Sequence, residues 1–401
     1  MSFTAPRLIC LSAVLLITTS SVALAQHDSG GVTGGGTIGG GTTKPATKPA
    51  TKPAATTTTP RRRTTAPPRR STTTIPVARP TTLAAADNYY QQAETLYNAK
   101  RYNEALDLYL KATAINPSMT AALYRIGWIY NDLGDYNLAI DPLKQVIAAQ
   151  PTNAAAEFEL GFAYKKLGRY PEAFTAFSEA VRLTPNYPTA HYELGWIYNE
   201  QKRYEEALNS LKTAISYRAN YADAQSEMGY SLKNLGRYPE AIQAYQEALR
   251  LSPNLGLAHL GLADVYYDNL KNYAEAATSY KRGLELRPGN ANAQYRLGWC
   301  YNDLERFAEA AEELRKAIQI RPDFPEAHNE LGYALHQLGR YQEAIQQYMM
   351  AIQQKTGYAS AHYNLGMSFL AMNNRNAALQ QYRILQRIDS ARATKLFNQI
   401  R

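Results

Sequence analysis

From residue 83 onward, small and apolar side chains recur at a helical spacing that restarts about every 34 residues. One segment of each unit reads Ala-x-x-x-aromatic/Leu-x-x-small. It runs from Ala105/Tyr109/Ala112, Ala139/Leu143/Val146 and Ala173/Phe177/Ala180 to Ala344/Tyr348/Ala351 and Ala378/Tyr382/Leu385. Residues four and seven apart share one face of a helix, so each run predicts a buried helical stripe. An earlier segment carries Leu-Gly-x-x-Tyr or a variant, as in Ile126-Gly127 with Tyr130, Leu160-Gly161 with Tyr164, Leu194-Gly195 with Tyr198 and Leu297-Gly298 with Tyr301. Turn signals such as Leu167-Gly168-Arg169-Tyr170 separate the two segments. Prolines recur at Pro117, Pro151, Pro185, Pro253, Pro288 and Pro322. The single double-length gap has Ala219 in the missing place, and one gap holds an extra residue, expected in the turn over 268–272. The pattern predicts an all-α chain of helical hairpins, each second helix stopped by proline. Gly or Ala on one helix facing Ala on the other lets two backbones approach where a larger side chain would wedge them apart.

These motifs resemble the tetratricopeptide repeat (TPR) family, and nine units cover roughly residues 86–390. Departures from the family pattern are mild: Ala219, Thr356 and Ser390 stand for proline, and Ala93 and Ala263 for the first-helix glycine. The resemblance implies a right-handed α-solenoid. The expected organisation is nine repeats over 83–390 and a capping helix over 391–401, where Leu396, Phe397 and Ile400 would cover the last repeat.

Counting each repeat so that the glycine is position 8, positions 5, 9 and 12 fall on the first helix away from its buried stripe. A face that met only water would be polar there. Instead position 5 holds Tyr90, Tyr124, Phe158, Tyr192, Tyr295 and Tyr363 beside Ser226, Leu260 and Asn329, and position 9 holds Trp128, Phe162, Trp196, Tyr230, Trp299 and Tyr333 beside Glu94, Asp264 and Met367. All three tryptophans of the chain share position 9, each followed three residues later by Asn131, Asn199 or Asn302. In the TPR family this face lines a concave groove that holds extended peptides. The resemblance therefore implies an aromatic-lined ligand groove, with the asparagines free to bond a peptide backbone. Exposed apolar side chains at such density mark an interaction surface. The competing expectation is that the rings stack between adjacent first helices and are partly buried. Position 6 alternates in sign (Arg125, Glu159, Glu193, Glu227, Arg296, Glu330), read either as charge selection on a ligand or as a solvated face. The family's capture of a C-terminal carboxylate needs Lys at position 5 and Asn at position 9 of one repeat, so it does not carry over.

Charge changes the picture only outside the repeats. The formal net charge is +9, but residues 26–80 hold nine positive residues against Asp28 alone, and Arg7 supplies one more. The chain from residue 81 is neutral, which argues against nucleic-acid binding by the folded part. Residues 26–82 are Gly-rich, then Thr/Lys/Pro/Arg-rich, too poor in apolar side chains to offset chain entropy. They read as a disordered basic linker able to touch an anionic envelope polymer, or as a solvated spacer. Residues 34–39 match G-x-G-x-x-G by chance inside a glycine tract. Arg7, the apolar run from Leu8 and the small-x-small triplet Ala23-Leu24-Ala25 read as a cleaved signal peptide over 1–25, the alternative being a retained anchor. The expected location is exported: periplasmic, envelope-associated or secreted. With the signal removed, no integral membrane segment is expected.

No catalytic constellation stands out. Cys300 matches Ile129 and Ile197 in sister repeats and reads as a core residue. His191, His259, His328 and His362 share repeat position 4, spaced by whole repeats, which disfavours a metal cluster. No enzyme activity and no cofactor is expected. The function expected is a scaffold or adaptor binding a protein or extended peptide. The alternative is a carbohydrate- or wall-binding module tethered by its linker.

Overall fold

The computed structural model describes residues 80–401. The expected signal peptide over 1–25 and the expected linker up to residue 79 lie outside the described residues. The chain forms nine helical hairpins: α1 (Pro80–Asn98) with α2 (Tyr102–Ile115), α3 (Thr120–Leu133) with α4 (Tyr136–Ala149), and α5 (Ala154–Lys166) with α6 (Tyr170–Leu183). Next come α7 (Pro188–Glu200) with α8 (Tyr204–Tyr217), α9 (Ala222–Asn234) with α10 (Tyr238–Leu251), and α11 (Gly256–Asp264) with α12 (Tyr273–Leu286). The array ends with α13 (Ala291–Asp303) and α14 (Phe307–Ile320), α15 (Pro325–Gln337) and α16 (Tyr341–Gln354), α17 (Ala359–Ala371) and α18 (Arg375–Ile388), and the cap α19 (Ser390–Ile400). Each helix packs against its hairpin partner and the next hairpin, the arrangement of a TPR solenoid.

The hairpin core is the predicted stripe. Tyr109, Leu143, Phe177, Leu211, Tyr245, Tyr280, Leu314 and Tyr348 are all buried on the second helices. Each fills the space left by the facing glycine or alanine. A Cβ on Gly127 would lie 2.5 Å from Leu143 Cγ, and one on Gly195 would lie 2.6 Å from Leu211 Cγ and 3.3 Å from the Ala207 carbonyl oxygen. Cys300 is fully buried, and burial pushes its thiol up to about 12, as suits a core residue.

Three details differ from the expectations. α1 begins at Pro80, so residues 80–82 belong to the first helix, with proline at a helical first turn, where it lacks no bond. The extra residue of repeat six is absorbed in a π-helical stretch, Val265–Leu270, that extends α11 and ends at Lys271 with φ +54°. A wider helical turn takes up one residue without breaking the packing on either side. Finally, proline is not what ends the second helices. α8 stops at Tyr217 and α16 at Gln354, in the register of the others, although Ala219 and Thr356 replace proline. In both, the next backbone N–H still closes on the carbonyl four residues back, so the turn is set by packing and reinforced by proline.

Histidines at position 4 fasten these turns. Ring Nε2 of His191, His259 and His362 meets the carbonyl oxygens of Pro185, Pro253 and Thr356 at 2.8, 3.0 and 3.1 Å. Among the described residues no group of three metal-ligating side chains gathers, and no helix is long and apolar enough to cross a membrane.

Candidate functional site

The position-9 rings sit on the first helices as expected, but they are not free. Each packs edge-on against the aromatic that opens the preceding second helix. Trp128 meets Tyr102 at 5.4 Å, Phe162 meets Tyr136 at 6.2 Å and Trp196 meets Tyr170 at 5.6 Å. Tyr230 meets Tyr204 at 6.3 Å, Trp299 meets Tyr273 at 4.8 Å and Tyr333 meets Phe307 at 6.1 Å. Trp196 is only 7% exposed, and the other five rings are half-buried. Position-5 rings lean the other way, onto the residue before the next first helix: Phe158 on Tyr187, Tyr192 on Tyr221 and Tyr295 on Phe324, at 5.1, 5.1 and 4.9 Å. Tyr124 is half-buried beside Leu123, Val146 and Ala156. The ladder thus joins neighbouring repeats through turn-proximal aromatics, and Trp128 and Trp299 also meet a ring of the preceding first helix or its extension, Tyr97 at 5.3 Å and Tyr267 at 5.2 Å, as the competing expectation had it.

The asparagines correct the expectation more sharply. Asn131, Asn199 and Asn302 are buried. Each Nδ2 donates to the backbone carbonyl oxygen and the carboxylate of a glutamate 28 residues on: Asn131 to Glu159 at 2.9 and 2.9 Å, Asn199 to Glu227 at 3.3 and 3.0 Å, Asn302 to Glu330 at 3.1 and 3.3 Å. Lys165 holds Glu193 in the same way at 2.5 Å, with its ammonium 4.1 Å from the centre of the Trp196 ring. At Glu159, Glu193, Glu227 and Glu330, position 6 is thus tied to the preceding repeat and does not stand free on a solvated face. Each of these carboxylates is the acceptor that position 12 of the previous repeat grips. The three Nδ2 donors are committed to the protein, and Asn199 Oδ1 accepts from the Ser231 hydroxyl at 2.7 Å, while the Oδ1 atoms of Asn131 and Asn302 are buried without a hydrogen-bond partner.

Where position 6 is arginine, the preceding repeat carries an acid at position 9 in place of a ring. Arg125 Nε and Nη2 bond the Glu94 carboxylate at 2.9 and 3.2 Å, and Tyr109 donates its hydroxyl to the same group at 2.5 Å. Five repeats later Arg296 Nη1 bonds Asp264 and Asp268 at 2.7 Å each, and Tyr280 donates to Asp264 at 2.6 Å. Both arginines also lie over a tyrosine, Tyr97 at 4.1 Å and Tyr267 at 5.1 Å. Positions 6 and 9 taken within a single repeat do not disclose this pairing, because it joins one repeat to the next. The signal was present: an acid stands at position 9 in the repeats before Arg125 and Arg296, and only there.

Repeat six bears Leu260 and Asp264 at the two ring positions, and a cleft of about 510 Å³ opens beside them. Asp264, Arg296 and the neutral Tyr280 hydroxyl form its polar wall, Leu260, Tyr295 and Phe324 its apolar one, and Asn292 is exposed at its edge. Of the expected site residues, only Tyr295 lines it.

Burial pushes the Glu330 carboxyl from 4.5 up to about 7, against the lowering effect of the Asn302 and Asn329 amides. Between those values the folded chain holds a proton that the unfolded chain has released, so this group's contribution to stability falls as pH rises through that window. Glu330→Gln mimics the protonated form. It is expected to match the parent near pH ~4.5 and to exceed it by on the order of 1–3 kcal/mol above pH ~7.5. Urea denaturation of both proteins at the two pH values reads the difference, and an equal gap at both would refute the assignment.

No curated protein matches the chain. Among solved structures it is similar to YrrB, described as a TPR protein with an unusual peptide-binding site, at 25% identity over 47% of this chain and 97% of that one, with a TM-score of 0.45. It is similar to MamA at 27% identity over 42% and 97% of the two chains, TM-score 0.37. A tetratricopeptide repeat protein from Parabacteroides merdae aligns at 16% identity over 63% and 99%, TM-score 0.48. The TPR repeat model matches residues 300–339 and 332–373. The model described as cilia and flagella-associated protein 70 C-terminal domain matches residues 46–294, well over half the chain. The chain is a TPR repeat protein and belongs to the cilia and flagella-associated protein 70 C-terminal domain family.

Proposed function

We propose that this chain is a non-enzymatic scaffold that holds an extended segment of a partner protein along its first-helix face, anchored in the cleft beside Asp264, Arg296 and Tyr295. The observation that carries the reading is the cleft itself. Elsewhere on this face the rings and amides are spent on joining repeats, whereas here a mixed charged and apolar hollow of about 510 Å³ stays open. Pockets of that size with a few convergent polar groups suit one or two side chains of a bound segment. Asn292→Trp would fill the hollow from an exposed position without touching the core. Affinity capture with the tagged full chain is expected to lose its partner in this variant, with the melting curve unchanged. Capture of the same partner by both proteins would refute the site.

The same proposal places the chain outside the cytoplasm. It rests on Arg7, the apolar run from Leu8 and the Ala23-Leu24-Ala25 triplet. N-terminal sequencing of the native protein is expected to begin at Gln26. The family's name points instead to cilia and flagella, and a chain that keeps residues 1–25 would count for that location.

A further inference from the structure

The outer side of the second helices offers an internal control, because nine repeats present equivalent positions there. Two residues beyond the buried core residue of each second helix, seven repeats carry a polar side chain, Glu179 and Glu247 among them. The last two repeats carry Met350 and Ile384 instead, 42% and 38% exposed, and Met349 beside them is 57% exposed. Between α16 and α18 these side chains bound a groove of about 670 Å³, whose floor includes Ile352 and Leu365 and whose polar lining is glutamine and His362, the latter with both ring nitrogens bonded, to Gln381 and the Thr356 carbonyl oxygen. A methionine-rich groove lined by no carboxylate, lysine or arginine is adaptable and largely apolar, the chemistry of a surface that accepts a partner's side chains.

Charge says which partner. In the third and fifth repeats the glutamate at this position pairs with an arginine three residues on: Glu179 with Arg182 at 2.5 Å and Glu247 with Arg250 at 2.7 Å. In the ninth repeat Ile384 replaces the glutamate, and Arg387 keeps its exposed place with no ion pair among the described residues. Arg383 beside it is also exposed. Residues 359–401 hold six positive residues against Asp389 alone, while residues 81–358 carry a net −5. The apolar groove therefore lies against the one strongly basic end of the array.

We propose that the α16–α18 groove docks an acidic amphipathic segment of a partner protein, its apolar side chains between Met349, Met350 and Ile384 and its carboxylates on Arg383 and Arg387. This surface lies on the second helices, so the proposal does not depend on the first-helix cleft.

The test is fluorescence anisotropy of the full chain with two labelled helical peptides of ~18 residues, about five turns. Both carry Leu along one face; one has Glu on the flanks, the other Lys at the same places. The Glu peptide is expected to bind at least roughly tenfold more tightly, and less tightly as salt is raised. Ile384→Glu rebuilds the Glu–Arg pair of the sister repeats on an exposed position. It is expected to weaken the Glu peptide by roughly tenfold or more with the melting curve unchanged, while Asn292→Trp leaves this binding untouched. Equal binding of the two peptides, no binding of either, or indifference to Ile384→Glu would overturn the proposal. So would a concentration-dependent dimer in sedimentation that Ile384→Glu dissolves, which would make the occupant a second copy of this chain.

Discussion

Lys165→Met is expected to destabilise the chain by about 3–5 kcal/mol, the cost of stranding a buried charge. Lys165 and Glu193 have side chains only 8% and 10% exposed and meet at 2.5 Å. With Lys165 gone, no other cation is shown to bond Glu193, and its carboxylate keeps the desolvation of burial without its partner. The ammonium also rests 4.1 Å from the centre of Trp196, an attraction of about 0.5–2 kcal/mol that the methionine chain does not replace. The double variant Lys165→Met/Glu193→Leu removes both charges at similar volume. It is expected to recover most of the loss, because a buried pair is commonly no more stabilising than the apolar groups that replace it. Urea unfolding followed by circular dichroism gives the three stabilities. Equal stability of single and double variants would mean that the pair is solvated, and the inter-repeat grip would then be no explanation of the register.

Trp196→Ala is expected to cost about 3–5 kcal/mol, as for other buried aromatic truncations. The indole is 7% exposed, lies edge-on to Tyr170 at 5.6 Å and carries the Lys165 ammonium on its face. Removing it opens a cavity at the joint between the third and fourth repeats and takes one wall from the Lys165–Glu193 pair. In a solenoid, stability is close to a sum of repeat and nearest-neighbour terms, so a weakened joint should also broaden the transition and lower its denaturant dependence. Trp128 and Trp299 are half-buried, and their alanine variants should lose less. A Trp196→Ala protein as stable as the parent but unable to capture a partner would reverse this account. It would return the ring to the role of ligand contact.

The hairpins themselves were legible in the chain. The Ala-x-x-x-Tyr/Leu stripe, the Gly127 and Gly195 close approaches and the 34-residue restart are local statements about one helix face, and periodicity carries them directly. Which side chain serves a ligand and which serves the neighbouring repeat was not legible from the same periodicity. Asn131, Asn199 and Asn302 have the composition and spacing of groove residues, and so do the rings beside them. Only the stacking angle of one hairpin on the next decides that position 12 reaches position 6 of the following repeat, 28 residues on. That contact is non-local, and a single-helix pattern has no term for it. The Arg125–Glu94 and Arg296–Asp264 pairs were recoverable in principle, since acid and arginine change together between neighbouring repeats. The cleft beside Arg296 was not recoverable, because a hollow is what remains after every neighbour has been placed. Sequence periodicity determined the hairpins and their order, being a property of each helix alone. Tertiary packing decided which polar groups are spent on joining repeats and where open surface is left.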